Sequence, residues 1–161
     1  AQVLRERIAQ APPDVDFLVF DCPPSAGLLD VNAVVAADDL LVPVAGDFLS
    51  LTGLSKLMGT VKRLEKLRTK PLKKWIFMNR FVARRRLSKE VHGKILEHFP
   101  QGLLRTTVRE AAVLAECAGA GRTVFEYRGK SKSAEEFRAL ADDLLQGKVM
   151  QDEQRQTSDV A

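Results

Sequence analysis

At 161 residues and 17.8 kDa, with 45% hydrophobic and 29% charged residues, the chain has the composition of one globular domain long enough to bury a real core. No apolar stretch approaches the roughly 20 residues of a membrane span, the sequence does not open on a signal peptide, and two distant cysteines, Cys22 and Cys117, give neither a disulfide scaffold nor metal-ligand spacing. A cytoplasmic protein is expected. The formal net charge of +4 is unevenly spread: Lys56 to Lys94 hold fourteen Lys or Arg against Glu65 and Glu90, which is +12, while the remainder holds eleven basic and nineteen acidic residues, which is −8.

Residues 2 to 10 read as the end of a helix stopped by Pro12 and Pro13. Phe17 to Phe20 form a continuously apolar run, which suits a strand buried on both faces of a parallel sheet. Asp21 closes that run, either as a site residue at the carboxyl edge of the sheet or as a turn-former before proline. A helix starts near Ala26, and a second buried strand, Leu40 to Val44, carries Pro43, which is expected at its end because proline removes a ladder donor.

The clearest helix follows, with Leu51, Leu54, Leu57, Met58, Val61, Leu64 and Leu67 at three- and four-residue spacing. Pro71 closes it, and the strand Trp75 to Asn79 comes next. A basic loop, RFVARRR, leads to a helix capped by Ser88. A short strand near Leu103 and Leu104 precedes a helix from about Arg109 to Ala118, ended by Gly119 and Gly121. Val124 to Tyr127 read as a further strand, and the last helix opens on a capping box, Ser133 to Glu136, and ends by Gly147. Strands alternating with helices indicate one doubly wound α/β domain over residues 1–148 with a mostly parallel sheet; residues 149–161 read as a polar, disordered tail.

The near-exclusion of acidic residues from Lys56–Lys94 points to a face for a polyanion, against the plainer account of solvated helix surfaces. The candidate contacts are Arg84, Arg85 and Arg86, with Lys62, Arg63, Lys73 and Lys74 behind them.

Taken together, DFLVFDCPPSAGLLDVNAVVAADDLLVP, the SLTGLSKL helix, the Asn of WIFMNR, TTVRE followed by LAEC, and VFEYRGKSKSAEEFRALADDL stand in the order of the second half of a ParA/Soj-type partition ATPase. The chain resembles this deviant Walker, P-loop family from Asp16 to Leu145. The resemblance implies a P-loop NTPase-like fold, Mg-ATP as cofactor, a homodimer closed by ATP, non-specific DNA as partner, a ParB-like stimulating protein, and a nucleoid-associated cytoplasmic location without membrane attachment. It also implies site roles. Asp21 would be the Walker B acid, holding Mg²⁺ through water, since this hard cation keeps several waters and accepts few protein carboxylates. Pro23 and Pro24 would stiffen the turn beside the γ-phosphate, where a simple turn is the competing account. Asn79 would pair with the adenine edge through its amide donor and acceptor, against an ordinary capping role. Arg109 falls in the Thr-x-Ile-Arg-like segment, with a nucleotide-side or an interface role. Cys22 reads as a small buried packing residue.

One departure limits the implied activity. The family's glycine-rich Lys-Gly-Gly-x-Gly-Lys-Thr loop, which cradles phosphates with backbone N–H groups, does not occur in these 161 residues, and neither does the upstream Asp that orients water. The strand carrying that loop would lie between the Asp21 strand and the Leu40–Val44 strand. This chain alone is therefore expected neither to hold Mg-ATP tightly nor to hydrolyse it. The sequence begins with Ala rather than Met, consistent with a fragment or a processed piece. Two other readings stay open: a MinD-like positioning ATPase, disfavoured because the tail lacks a basic, bulky-apolar helix, and a non-catalytic DNA-binding or interaction module.

Overall fold

Three consecutive side chains, Ile76, Phe77 and Met78, are all buried, so the strand that carries them is covered on both faces, as its unbroken apolar run requires. This strand is part of a computed structural model that describes residues 2–22 and 27–150. Its elements are helix α1 (Val3–Gln10), helix α2 (Leu28–Ala36), strand β1 (Asp39–Ala45), helix α3 (Phe48–Leu64), a 3-10 turn (Glu65–Leu67), strand β2 (Lys73–Asn79), and helices α4 (Arg86–His98), α5 (Ala112–Gly119), α6 (Val124–Arg128) and α7 (Lys132–Gln146). Strands β1 and β2 pair in parallel, with α3 as the crossover between them. The chain divides into two compact units, Ala1–Leu40 with Ser55–Lys73, and Leu41–Leu54 with Lys74–Ala161.

In the first unit α1 packs against α2, and Ala33, Val35, Val61 and Leu72 are buried. Arg68 ties the unit together. Its guanidinium donates to the carbonyls of Val34 and Val35, the latter at 2.9 Å, and its Nε donates to the Lys70 carbonyl. A cation thus meets the unpaired C-terminal carbonyls of α2, where the helix dipole favours positive charge.

The second unit is built on β2. Beside it runs an extended segment: the Ile76 N–H donates to Gly102, Leu104 to Ile76, Val108 to Met78 and Phe81 to Val108, all at 2.8–3.0 Å. Phe77, Leu104, Val108 and Leu140 form one apolar cluster, bordered by Trp75, Leu114, Phe137 and Leu144. Helix α7 begins at Ser131, whose Oγ accepts from the Ala134 N–H, and stops at Gly147 with φ 64°. That left-handed terminus is open to glycine at little cost.

Close approach explains a second glycine. A Cβ at Gly46 would lie 2.7 Å from the Cβ of Ser88 and closer still to its Oγ, and Ser88 is a buried residue of α4. Gly46→Ala is expected to destabilise the protein by about 1–3 kcal/mol, the usual cost of overpacking. The measurement is urea unfolding; a midpoint equal to that of the unsubstituted chain would contradict it.

Several expectations from the sequence are corrected. Phe17–Phe20 do not form a strand: they are irregular, with Phe17 69% and Val19 85% exposed, because among the described residues no partner strand pairs with them. Cys22 is accordingly exposed rather than packed. Strand β1 is buried on one face only, through Val42 and Val44, and Pro43 lies within it rather than at its end, with its side chain exposed. Val124–Tyr127 belong to helix α6, because Thr123 and Glu126 form a capping box ahead of them. Ser88 is the third residue of α4, its hydroxyl turned to the Gly46 carbonyl, and Ser131 rather than Ser133 caps α7. Residues 149 and 150 are folded: Val149 is buried and bridges Leu104, and the Met150 N–H donates to Leu103. Residues 151–161 lie outside the described residues.

Candidate nucleotide and nucleic-acid site

The carboxyl end of β2 brings Asn79 next to the segment that carries Arg109. Asn79 ends the strand half-buried, and its Oδ1 accepts the Arg80 N–H at 3.0 Å. That bond fixes which way the amide faces while leaving the oxygen a second lone pair. Arg80 itself has φ 49°, a left-handed conformation uncommon for a non-glycine residue. The next residue, Phe81, forms a parallel bridge with Arg109, so the TTVRE segment runs beside the end of β2. Two ion pairs flank this edge: Arg80 with Glu110 at 3.2 Å, and Arg109 with Glu136 of α7, whose carboxylate also accepts the Arg109 N–H. Glu136 is nearly buried while the Arg109 side chain stays about half exposed. The carboxylate thus aims the guanidinium rather than hiding it.

Sequence reading places Asn79 and Arg109 but misses what holds them. Glu136 reads locally as part of a cap, and nothing nearby marks Arg80 as left-handed, since glycine or asparagine would be the usual signal there.

Asp21, in the first unit, is an exposed carboxylate that follows the irregular Phe17–Phe20 run. Burial, followed by the charges of Asp30 and Asp21, pushes the Cys22 thiol above its ordinary range, so it stays protonated at neutral pH and is a poor nucleophile. Among the described residues no group of three or more His, Cys, Asp or Glu could hold a metal ion. A single carboxylate such as Asp21 still fits Mg²⁺, which takes most of its ligands from water and phosphate. The triphosphate is different, because no glycine-rich loop is present in these residues to cradle it. Pro23 and Pro24 lie outside the described residues.

The basic candidates fall in two places. Arg84, Arg85 and Arg86 are exposed at the start of α4, Arg85 being its N-cap residue. Arg86 meets Glu90 at 2.7 Å but is 93% exposed, so that pair counts for little. Three cations here add to the positive end of the helix dipole, an arrangement that costs the helix stability and raises its potential for an anion. Lys62 and Arg63, in the last turn of α3, are exposed, as is Lys73, whereas Lys74 is half-buried.

A sequence-family profile described as an AAA domain matches residues 1–74. The cell division protein PomZ of Myxococcus xanthus is 40% identical over 143 residues, covering 88% of this chain and 45% of that protein. The chromosome partitioning protein ParA of the same organism is 31% identical, with 88% and 50% covered, and the sporulation initiation inhibitor Soj of Bacillus subtilis is 29% identical, with 88% and 56% covered. The chain spans about half the length of the curated relatives it matches. Its fold matches that of apo McdA from Cyanothece with a TM-score of 0.74 at 21% identity, over 88% of this chain and 57% of that one. The motif order read from the sequence, the α/β architecture around β2 and these likenesses agree: the chain belongs to the ParA/Soj-type partition ATPase family.

Proposed function

We propose that this chain is the C-terminal part of a ParA-like ATPase that segregates a plasmid or chromosome, in which ATP closes a homodimer that binds DNA without sequence preference. The 29% identity to the chromosome-partitioning ATPase Soj of Treponema pallidum, over 88% of this chain, supports the ATPase part. The DNA part rests on one observation, the three exposed arginines at the positive end of α4. Asp21 would hold Mg²⁺ through water, and Asn79 would read adenine, with Pro23 and Pro24 beside the phosphates. Lys62, Arg63, Lys73 and Lys74 would be the weaker DNA contacts. In this reading residues 1–148 form a single domain, the protein works in the cytoplasm on the nucleoid, and a ParB-like partner stimulates hydrolysis.

What each part supplies can be separated by experiment. The 161-residue chain alone is expected not to turn over ATP. A longer chain that places the relatives' glycine-rich loop ahead of it is expected to hydrolyse ATP, with Asp21→Ala lowering kcat on the order of a hundredfold, as removal of a key electrostatic group does. Turnover by the isolated chain that Asp21→Ala abolishes would overturn this division of labour.

A second reading, a non-catalytic DNA-binding module, is favoured by the +12 concentrated between Lys56 and Lys94. The two differ in nucleotide dependence. DNA binding that needs ATP in the longer chain supports the ATPase, and salt-sensitive binding by this chain without ATP supports the module.

A further inference from the structure

Helix α7 runs antiparallel to β2 along one face of the sheet, and this decides what stands beside Asn79. Trp75 and Phe77 pack on that face with Leu140 and Leu144 of α7, and a Cβ at Gly147, just past the helix, would sit 3.5 Å from the Trp75 ring. Alternate strand residues share a face, so Asn79 points the way Trp75 and Phe77 do, toward α7. Farther back along the helix, Glu136 receives Arg109, which is bridged to Phe81 just beyond the strand. From Gly147 to Glu136 the helix rises about 16 Å, and from Trp75 to Asn79 the strand about 13 Å, which brings Glu136 close to the level of Asn79. Glu136 engages the backbone N–H and Nε of Arg109, and both Nη nitrogens are left without a hydrogen-bond partner among the described residues. The edge has no surplus of positive charge. Glu136 balances Arg109, and Glu110 balances Arg80. Hydrogen bonds from Ser50 hold the Asp47 carboxyl below its ordinary range, and the Arg80 charge adds to this, so a third carboxylate stands ionised nearby. Such a surface suits a phosphate poorly, since that needs uncompensated cations or a nest of free N–H groups. A flat, uncharged ring fits better: a guanidinium stacks on an aromatic face, and an amide meets a ring edge with a donor and an acceptor.

We infer that Arg109 is the stacking residue of a base-binding edge at the end of β2, and that Glu136 is the residue that positions it. The nucleobase lays one face on the Arg109 guanidinium and turns its edge to the Asn79 amide. Glu136, 27 residues away in sequence, holds a long side chain that would otherwise sample many rotamers, so less entropy is lost when the ring arrives. The Arg109 side chain can play this part because it stays about half exposed while the Glu136 carboxylate beneath it is nearly buried. This role rests on the proposed reading of Asn79 for its choice of adenine, and it assigns Arg109 to the nucleotide side rather than to an interface.

The test titrates adenosine, and separately inorganic phosphate, into the isotope-labelled 161-residue chain, and follows the NMR signals of the Asn79 side-chain amide and the Arg109 Nε–H. Adenosine is expected to move both signals to saturation, and phosphate to move neither. Arg109→Lys keeps the charge and loses the plane, and is expected to weaken adenosine binding about tenfold, within the range of a cation–π contact. Glu136→Gln is expected to weaken it to a similar extent, but to add nothing in a chain that already carries Arg109→Lys. A Glu136 that served the fold alone would lower affinity in both backgrounds, and that result overturns the positioning role. Silence of both signals, or an equal response to phosphate, overturns the base-binding edge itself, and the unsubstituted chain gives that answer even where a variant does not fold. Saturable adenosine binding here, with no ATP turnover by the longer chain, would refute the ATPase reading alone. ATP turnover by the longer chain, with both signals unmoved by adenosine, would refute the role of Arg109 alone.

Discussion

Replacing Arg84, Arg85 and Arg86 by glutamate is expected to lower affinity for non-specific duplex DNA by about a hundredfold or more, and to flatten its salt dependence. Each phosphate contact releases a condensed counterion and adds close to 0.9 to the slope of log K against log salt; losing three contacts should therefore reduce that slope by roughly 2–3. The fold should not suffer. All three side chains are exposed, and acidic residues are favoured where cations now oppose the dipole of α4. The attraction between Arg86 and Glu90 gives way to a like-charge repulsion, which is weak because both positions face solvent. The decisive comparison is a salt titration of DNA binding alongside a thermal melt, in the longer chain with ATP and in this chain without it. Unchanged affinity with unchanged slope would remove the start of α4 from the DNA face and leave Lys62, Arg63 and Lys73 as the candidates.

What is legible in the sequence follows from where the deciding interactions are local. The period of α3 is carried by its own leucines, and β2 is long and apolar enough to declare itself; both are found where the pattern places them, within a few residues. Helix starts are less legible. Three caps escape or mislead the reading, because Ser88, Ser133 and Thr123 differ from their neighbours only in which carbonyl or N–H is within reach. The run from Phe17 to Phe20 misleads for the opposite reason. Its pattern is that of a strand, but a strand exists only as a pair, and among the described residues no strand pairs with it. The same holds at the site. Asn79 and Arg109 can be named from their motifs, whereas Glu136, which aims Arg109 from 27 residues away, is visible only once α7 is folded against the TTVRE segment.

That segment is also pinned at its other end, and the largest stability effect is expected there. Asp143 of α7 is 2% exposed, and its carboxylate accepts four hydrogen bonds: Arg105 Nε at 3.2 Å and Nη2 at 2.7 Å on one oxygen, the Thr106 N–H at 2.8 Å and Oγ1 at 2.7 Å on the other. A buried carboxylate is tolerated only because each lone pair is met by a donor. Asp143→Ala removes the acceptor and strands the Thr106 N–H, while Arg105, about one-third exposed, recovers part of its hydration. The expected loss is about 3 kcal/mol, toward the low end for breaking a buried pair because Arg105 is not fully enclosed. Against a total stability of about 5–15 kcal/mol this is a large fraction. Asp143→Asn should cost less but remain destabilising, since one face of the amide would present a donor to Arg105 or to Thr106. Combining Asp143→Ala with Arg105→Ala should cost less than the sum of the two, because both single changes remove the same pair of hydrogen bonds. Urea unfolding of the unsubstituted chain and these variants measures all of this. Strict additivity, or a loss below about 1 kcal/mol for Asp143→Ala, would mean that the four bonds do not hold the TTVRE segment against α7. Arg109, three residues beyond Thr106, would then depend on Glu136 alone for its place beside Asn79.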